Sequence, residues 1–401
     1  MKRRVFVLPL ALSMIIASCS VGEAEDSTTT AAPTTTTTSS TTSTTVPPTT
    51  TTTTTPVTVD DAPQHLVDVI EAFYDFAAGR TDTAPEMPEP VLAAITPGEI
   101  ATPKSGVASV GVFDQAQLAV VEMGEDLFLA VADGGGWRIV GGEWPSLSLP
   151  AYFGDGPRHV AVVGSDARPG QSMDRTRADS IHFVALDGAG SGAVVGVPRD
   201  SYVPVPGYGR KKITASLALG GPETMMATFN DLTGLPLEGY VLTGFSGFET
   251  LMNSVLGGVT VDIPFAINDR WAKVSLSAGE QLLNGAQALG FARARKTVPR
   301  GDFTRSEHQG VILLAAARTV GSMGYLAIPK LIELSEGHLM TNLDVEQLLT
   351  FSALTISTDL DTVSNMVAPG SVGTAGGASV VFLAASVAEL WADLADGRLG
   401  D

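Results

Sequence analysis

Arg168, Arg177, Arg199, Arg293 and Arg305 are the side chains of this sequence best suited to grip a phosphate, and Asp166 and Asp179 stand beside the first two. Thirteen of the chain's 24 basic residues fall in two short stretches, 158–212 and 293–305, although the formal net charge is −19. Guanidinium groups bind phosphate oxygens in bidentate fashion. Two nearby aspartates suit Mg²⁺, which takes one or two carboxylates and completes its shell with phosphate oxygens and water. A basic cluster holding a few acids therefore points to a phosphate-rich ligand with a bridging divalent metal. Nucleic acid is disfavoured, because backbone binding needs a domain-wide positive face that this acidic chain lacks.

The elements around these residues bring them together. The apolar run His159–Gly164 predicts one strand, Asp179–Leu186 a second, and Ala193–Val197 a third after the glycine-rich turn 187–192. If the first two pair as a hairpin, the loop 165–178 sits at one end of the sheet. The third strand then runs back and delivers Arg199 and Asp200 to that same end. Alternation in Phe291-Ala-Arg-Ala-Arg295 predicts a strand over 289–295 with Arg293 and Arg295 on one face. Asp302 stands where an N-cap belongs, and the following helix carries Arg305 and Gln309 at i, i+4. A helix start with an arginine in its first turn favours anions. Further helices are expected near 221–232, 245–256, 284–290, 303–320 and 344–354, and strands near 238–242, 259–263 and 378–384, which makes an α/β domain over 157–390.

Eight motifs in order carry a family resemblance. They are Gly164-Ser-Asp-Ala-Arg168, Arg177-Ala-Asp-Ser180, Val197-Pro-Arg-Asp200, Lys212-Ile-Thr-Ala215, Gly220-Gly-Pro-Glu223, Gly257-Gly-Val-Thr-Val261, Leu283-Asn-Gly-Ala-Gln-Ala-Leu289 and the run from Arg293 to Gln309. Together they resemble the LytR-CpsA-Psr (LCP) family of cell-wall glycopolymer ligases, densely over 158–320 and loosely to about 385. The resemblance implies an LCP-type α-β-α sandwich with a mixed central sheet. It also implies a phosphotransferase that moves a polyprenyl-pyrophosphate-linked glycopolymer onto a peptidoglycan sugar hydroxyl, forming a phosphodiester and releasing polyprenyl phosphate. By motif position, Asp166 and Asp179 hold Mg²⁺ (or Mn²⁺). Arg168, Arg177, Arg199, Arg293, Arg305 and Gln309 clamp the pyrophosphate, with Lys212 and Arg295 in support. Asp302 or an oxygen of Asp166 is the candidate base. Phe229, Leu232, Val241, Phe245, Phe248, Leu251 and Val311 are the candidates for lining an apolar lipid tunnel. Thr214, Leu217 and Ala178 depart from the usual residues at their positions. Two other readings use the same clamp: a polyprenyl-pyrophosphate hydrolase, and a non-catalytic envelope-binding or regulatory lipoprotein.

The N-terminal part concerns location. Lys2, Arg3 and Arg4 precede an apolar run, Val5–Ile16, which is shorter than the ~20 helical residues that span a bilayer. Ile16-Ala-Ser-Cys19 resembles a lipobox, so residues 1–19 read as a lipoprotein signal and Cys19, the sole cysteine, as the lipidated N-terminus. The expected location is the outer face of the cell membrane, lipid-anchored and facing the wall. Residues 20–59, rich in Thr, Pro and Ser, read as a disordered tether. Residues 60–150 read as a small α+β accessory domain without a catalytic cluster, with an amphipathic helix over 63–78 and strands over 117–121, 127–131 and 137–141.

Overall fold

The computed structural model describes residues 57–400 apart from 101, 102 and 104. The signal segment, Cys19 and most of the threonine-rich tether lie outside the described residues. No single helix among the described residues is long and apolar enough to cross a membrane.

The first sheet is six-stranded and follows chain order. β1 (Thr58–Asp60) pairs in parallel with β2 (Ser105–Phe113). An antiparallel meander continues through β3 (Ala116–Met123), β4 (Asp126–Ala132), β5 (Arg138–Trp144) and β6 (Leu149–Tyr152). Two helices, α1 (Gln64–Ala77) and α2 (Glu89–Ala94), separate β1 from β2. Leu66, Val67, Ile70, Phe73, Tyr74 and Ala77 recur at helical spacing and all are buried, so α1 lays one face on the sheet. There Phe73, Tyr74, Phe128 and Trp144 interlock with ring centroids 4.9 to 5.9 Å apart. The Tyr74 hydroxyl donates to Asp126 Oδ2 at 2.6 Å, which satisfies the polar tip of an otherwise apolar cluster.

The second sheet is mixed, in the order β17-β12-β7-β8-β9-β18. Its centre is the expected meander of β7 (Arg158–Ser165), β8 (Ala178–Leu186) and β9 (Gly192–Gly196). A hairpin, β10 (Tyr202–Val205) and β11 (Gly209–Lys212), leads into α3 (Ala215–Thr233), and β12 (Gly239–Thr243) then joins β7 in parallel. α4 (Phe245–Thr250) precedes two small hairpins, in which β13 (Val259–Ile263) pairs β16 (Gly279–Leu283) and β14 (Ile267–Asp269) pairs β15 (Val274–Leu276). Next come α5 (Gly285–Arg293), α6 (Asp302–Met323), α7 (Ile328–Ser335), β17 (Leu339–Thr341), α8 (Val345–Ser357) and β18 (Ser364–Val367). The hairpin of β19 (Gly370–Ala375) and β20 (Ala378–Leu383) and a last helix, α9 (Val387–Leu394), complete the chain.

Side-chain alternation gives the central sheet two covered faces. Ala161, Val163, Ile181, Phe183, Ala193, Val195, Tyr240 and Leu242 point to one face and pack on residues of α3 and α9, including Phe229 and Trp391. α6 crosses the other face. It sits close because Gly196 and Gly310 have no side chain at the contact: a Cβ there would lie 2.4 Å from Ser306 Oγ or 2.0 Å from Asn365 Oδ1. α7 and α8 join the two sheets, since Ile328, Ile332 and Leu349 share one buried cluster with Leu118, Val120 and Leu129 of β3 and β4. The result is an α-β-α sandwich with a mixed central sheet.

Two local expectations need correction. The alternating run 289–295 is no strand: it is the last turns of α5 and the loop beyond. Asn284 and Gln287 form a reciprocal capping box that starts a helix through Arg293. Asp302 is also no N-cap. Gly301 precedes the helix with φ 55°, and the Asp302 side chain makes no cap bond. It turns instead to the guanidinium of Arg305, three residues on.

His182, on the α6 face of β8, fastens that helix. Its Nε2–H donates to the Ser306 carbonyl at 2.9 Å, and Nδ1 accepts from the Ser180 hydroxyl at 3.2 Å. Burial holds its pKa down, from 6.5 to about 4, and His308, stacked on Phe291, is lowered to about 4 by the same cause. The unfolded chain binds these protons first as pH falls through 6.5, while the native state resists until about 4. Stability is therefore full above 6.5 and declines towards 4, by about 3 kcal/mol per histidine at the limit. Thermal melts at pH 7.5, 5.5 and 4.5 check this. His182→Gln, neutral and able to donate, shows a shallower decline than the parent, whereas an unchanged slope excludes the assignment.

Candidate functional site

A cavity of ≈ 290 Å³ opens where β7 and β12 end and β8 begins. Ligands in open α/β sheets favour the carboxyl ends of parallel strands, and β7, β9 and β12 all run towards this edge. Part of the lining is charged or polar: Asp179 from β8, Arg199 after β9, Arg293 ending α5, Arg295 and Lys296 in the next loop, and Arg305 and Gln309 on α6. Another part of the lining is apolar, with Val162, Phe245, Phe248, Leu289, Ile312 and Leu313, the last three on the same helices α5 and α6 as the charged residues.

Each charged group is held in place. Arg199 is fixed through its backbone, because the Thr214 N–H donates to its carbonyl at 3.1 Å and the Ala178 N–H donates to Thr214 O at 3.1 Å. Its guanidinium grips Asp179 Oδ2. Burial alone lowers the Arg199 pKa, but Asp179, Asp302 and Asp200 outweigh it and the net shift is upward. Asp200 accepts from Lys212 Nζ at 2.9 Å and from Arg295 Nη2 at 3.0 Å. Burial raises the Asp200 pKa, and these cations bring it below the ordinary value. Asp302 touches Arg305 and lies 3.6 Å from Arg295 Nε. Burial draws the Arg305 pKa down to about 10 despite Asp302, which leaves it charged at neutral pH. Gln309 Nε2 donates to Ala292 O at 3.1 Å, tying α6 to α5. Arg293 leans on the Phe245 ring, its Cζ 4.6 Å from the centroid, and makes no ion pair among the described residues.

Several polar atoms here await a partner. Asp179 Oδ1, Arg199 Nε and Arg305 Nε are buried on the cavity wall without a hydrogen bond. Leaving such groups unpaired costs about 1–3 kcal/mol each, more when charged. Leaving Lys296 and the backbone-bonded Asp269 to the rim, Arg199, Lys212, Arg293, Arg295 and Arg305 face Asp179, Asp200 and Asp302, a surplus of positive charge. A diphosphate diester, with one charge per phosphate, matches that surplus.

Of the expected clamp, Arg199, Arg293, Arg295, Arg305 and Gln309 share the cavity with Asp179. Lys212 and Asp302 stand behind the wall and act through Asp200 and Arg305. Asp166, Arg168 and Arg177 lie in the loop next to Ser165 and Asp179, which do line the cavity. Asp166 Oδ1 accepts from the Arg177 N–H at 2.9 Å and the loop is closed by the reverse backbone bond, also 2.9 Å. The Arg168 and Arg177 side chains are exposed at that loop. Arg158, counted among the clustered cations, is structural: it forks onto Glu238 at 2.8 and 2.5 Å, far along β7 from the site. Of the expected apolar lining, Phe245 and Phe248 are present, but Phe229 and Leu232 belong to the core on the opposite face of the sheet. Val241, Leu251 and Val311 do not line the cavity either; Leu289, Ile312 and Leu313 take their place.

Asp269 and Trp271 escaped the sequence reading. The Asp269 carboxylate, 1% exposed, accepts from the N–H groups of Trp271, Ala272, Arg295 and Lys296 and from the Thr297 hydroxyl, at 2.9 to 3.2 Å. These bonds hold its pKa below the ordinary value against the opposing effect of burial.

A family model described as the LytR_cpsA_psr family matches residues 146–396. Among curated relatives, the chain is 34% identical over 193 residues to the regulatory protein MsrR of Staphylococcus aureus (strain COL), covering 47% of this chain and 57% of the relative. It is 33% identical over 202 residues to the polyisoprenyl-teichoic acid–peptidoglycan teichoic acid transferase TagV of Bacillus subtilis, covering 47% and 51%. The chain thus spans about half the length of these relatives. The crystal structure of B. subtilis TagV is similar with a TM-score of 0.52 and 27% identity, over 59% of this chain and 94% of that one.

Proposed function

The chain belongs to the LytR-CpsA-Psr family, and from that premise we propose that it is a phosphotransferase at the outer face of the cell membrane, moving a glycopolymer from a polyprenyl diphosphate carrier to a peptidoglycan sugar hydroxyl. The activity in TagV's name is a precedent for it. The observation that carries the reading is the set of unsatisfied charged atoms in the cavity lining, Asp179 Oδ1, Arg199 Nε and Arg305 Nε, in a cavity whose lining is otherwise largely apolar. A diphosphate fits the charged part of the lining and the start of a lipid fits the apolar part.

In the proposed reaction the acceptor hydroxyl oxygen attacks the sugar-side phosphorus. A new P–O bond forms, the bond to the bridging oxygen breaks, and its electron pair leaves on polyprenyl phosphate. Arg199, Arg293 and Arg305 neutralise the charge on the phosphoryl oxygens, and Gln309 fixes the α5–α6 wall that carries two of them. Asp302 is a positioning residue: it is buried behind Arg305 and away from the cavity lining, so it does not reach an acceptor. The hydroxyl proton is taken up by solvent water on the side of Asp166, which is half-exposed. Asp179 and Asp166 would hold Mg²⁺ or Mn²⁺; each keeps one carboxylate oxygen free of hydrogen bonds among the described residues. Such an ion adds positive charge at the diphosphate. The expected lipid anchor at Cys19 keeps the cavity beside the membrane that holds the donor.

Full-length protein in detergent, given lipid-linked donor and a peptidoglycan oligomer, tests the proposal. Mass spectrometry is expected to show a phosphodiester-linked conjugate in equal amount with polyprenyl phosphate. Polyprenyl phosphate appearing with free glycan phosphate identifies a hydrolase instead, and no turnover of the donor rejects an enzyme.

A further inference from the structure

Beside the phosphate wall, at the rim of the cavity, lies a second cationic feature built on an aromatic ring. Trp271 is the one half-exposed tryptophan among the described residues, at 48%, whereas Trp137, Trp144 and Trp391 are buried. It lines the cavity together with Lys296. The Arg270 guanidinium carbon stands 4.3 Å from its ring centroid, and the Lys296 ammonium 4.4 Å. Neither cation has an ion pair or hydrogen bond through its side chain among the described residues, in a chain with an excess of 19 negative charges. Cations of an acidic protein ordinarily find carboxylates. These two rest on the negative face of an indole, which orients them while leaving their N–H donors free.

The rim is also rigid at its base. Asp269 receives N–H groups from Trp271 and Ala272 on one segment and from Arg295 and Lys296 on the other. One buried carboxylate therefore sets the position of the indole and of both backbone stretches that carry cations. The same loop holds Arg295 in the phosphate wall and Lys296 at the rim, so the two features are coupled in space without sharing donors.

We propose that Arg270, Trp271 and Lys296 form a subsite for an anionic group on a sugar, a carboxylate or phosphate ester, next to the diphosphate. The inference rests on the transferase reading for the identity of its ligand, and on the rim itself for its charge preference. A bare diphosphate fills the inner wall only. A glycan with an acidic substituent near its reducing end meets two further unpaired cations, and a neutral glycan leaves them unused.

Tryptophan fluorescence reads this directly, because Trp271 is the half-exposed indole. The full-length protein is titrated with a glucuronic-acid-containing disaccharide and with its neutral glucose counterpart, each with and without saturating inorganic diphosphate. The acidic disaccharide is expected to shift the emission with at least tenfold higher affinity than the neutral one, also with diphosphate present. Arg270→Gln and Lys296→Gln each reduce that preference about threefold or more, while Trp271→Phe removes the signal. Equal affinity for both sugars, or competition with diphosphate, overturns the subsite. Transfer assays with acidic and neutral lipid-linked donors, and with free or amidated peptidoglycan acceptor, assign the acidic group to donor or acceptor. If no donor of either kind turns over, the transferase reading fails while the fluorescence preference still decides the subsite.

Discussion

Replacing Arg305 by alanine lowers kcat/KM for transfer on the order of 10³-fold, the scale seen when a charge-stabilising donor is removed from a phosphoryl or acyl transition state. The same change removes about 3 kcal/mol of stability, because the Asp302 carboxylate, 4% exposed, is left without its nearest cation. The two losses have different origins, and a second substitution separates them. In the double variant Asp302→Ala, Arg305→Ala no orphaned charge remains, so urea denaturation shows most of the stability restored while transfer stays as low as in Arg305→Ala. Arg305→Lys keeps the charge, but Lys lacks the planar fork and its stem reaches Asp302 with a single ammonium; an intermediate loss is expected. A double variant that regained transfer with its stability would reduce Arg305 to a structural role.

Arg305 was legible as a site residue because three pieces of local chemistry agree on it: a helix start, an arginine in the first turn and a glutamine four residues on. The β7–β8–β9 meander was legible for a similar reason, since short turns and apolar runs leave one pairing, and that pairing alone carries Asp179 and Arg199 to one edge. Where two periods competed, the short window failed. Phe291 to Arg295 alternates over five residues, yet the Asn284–Gln287 capping box seven residues earlier commits the chain to helix. Arg293 and Arg295 still meet at the cavity, but from a helix end and a loop. The Asp302 expectation failed because capping geometry was read from position, and the side chain had a stronger partner in Arg305.

Residues whose role depends on distant segments left no local trace. Asp269 looks like an ordinary aspartate at the end of β14, and its weight comes from N–H groups 26 and 27 residues later. The apolar wall was half legible. Phe245 and Phe248 follow β12 directly into the cavity, whereas Phe229 and Leu232 depend on which sheet face α3 covers, and α3 covers the opposite one. Gly196 and Gly310 carry no chemistry in the sequence; they let α6, and so Arg305, approach the sheet.

Asp179→Asn is the second large effect. It is expected to lower transfer on the order of 10²- to 10³-fold with little change in fold. The amide has the shape of the carboxylate and keeps an oxygen for the Arg199 contact, so packing survives. What disappears is the negative charge on the buried oxygen that no protein group satisfies, Oδ1. On the reading that this oxygen meets Mg²⁺ or Mn²⁺, the free-Mn²⁺ electron paramagnetic resonance signal falls when wild-type protein is added with inorganic diphosphate. With the variant it stays near the level that Mn²⁺ and diphosphate give without protein. Asp166→Asn gives a smaller loss on both readouts, because its Oδ1 already serves the Arg177 N–H, which an amide oxygen still accepts. The order of the two variants separates a metal role from a plain ion pair. If Asp179 served only to hold Arg199, then Asp179→Asn would leave Mn²⁺ uptake intact, and wild-type transfer would proceed unchanged in EDTA.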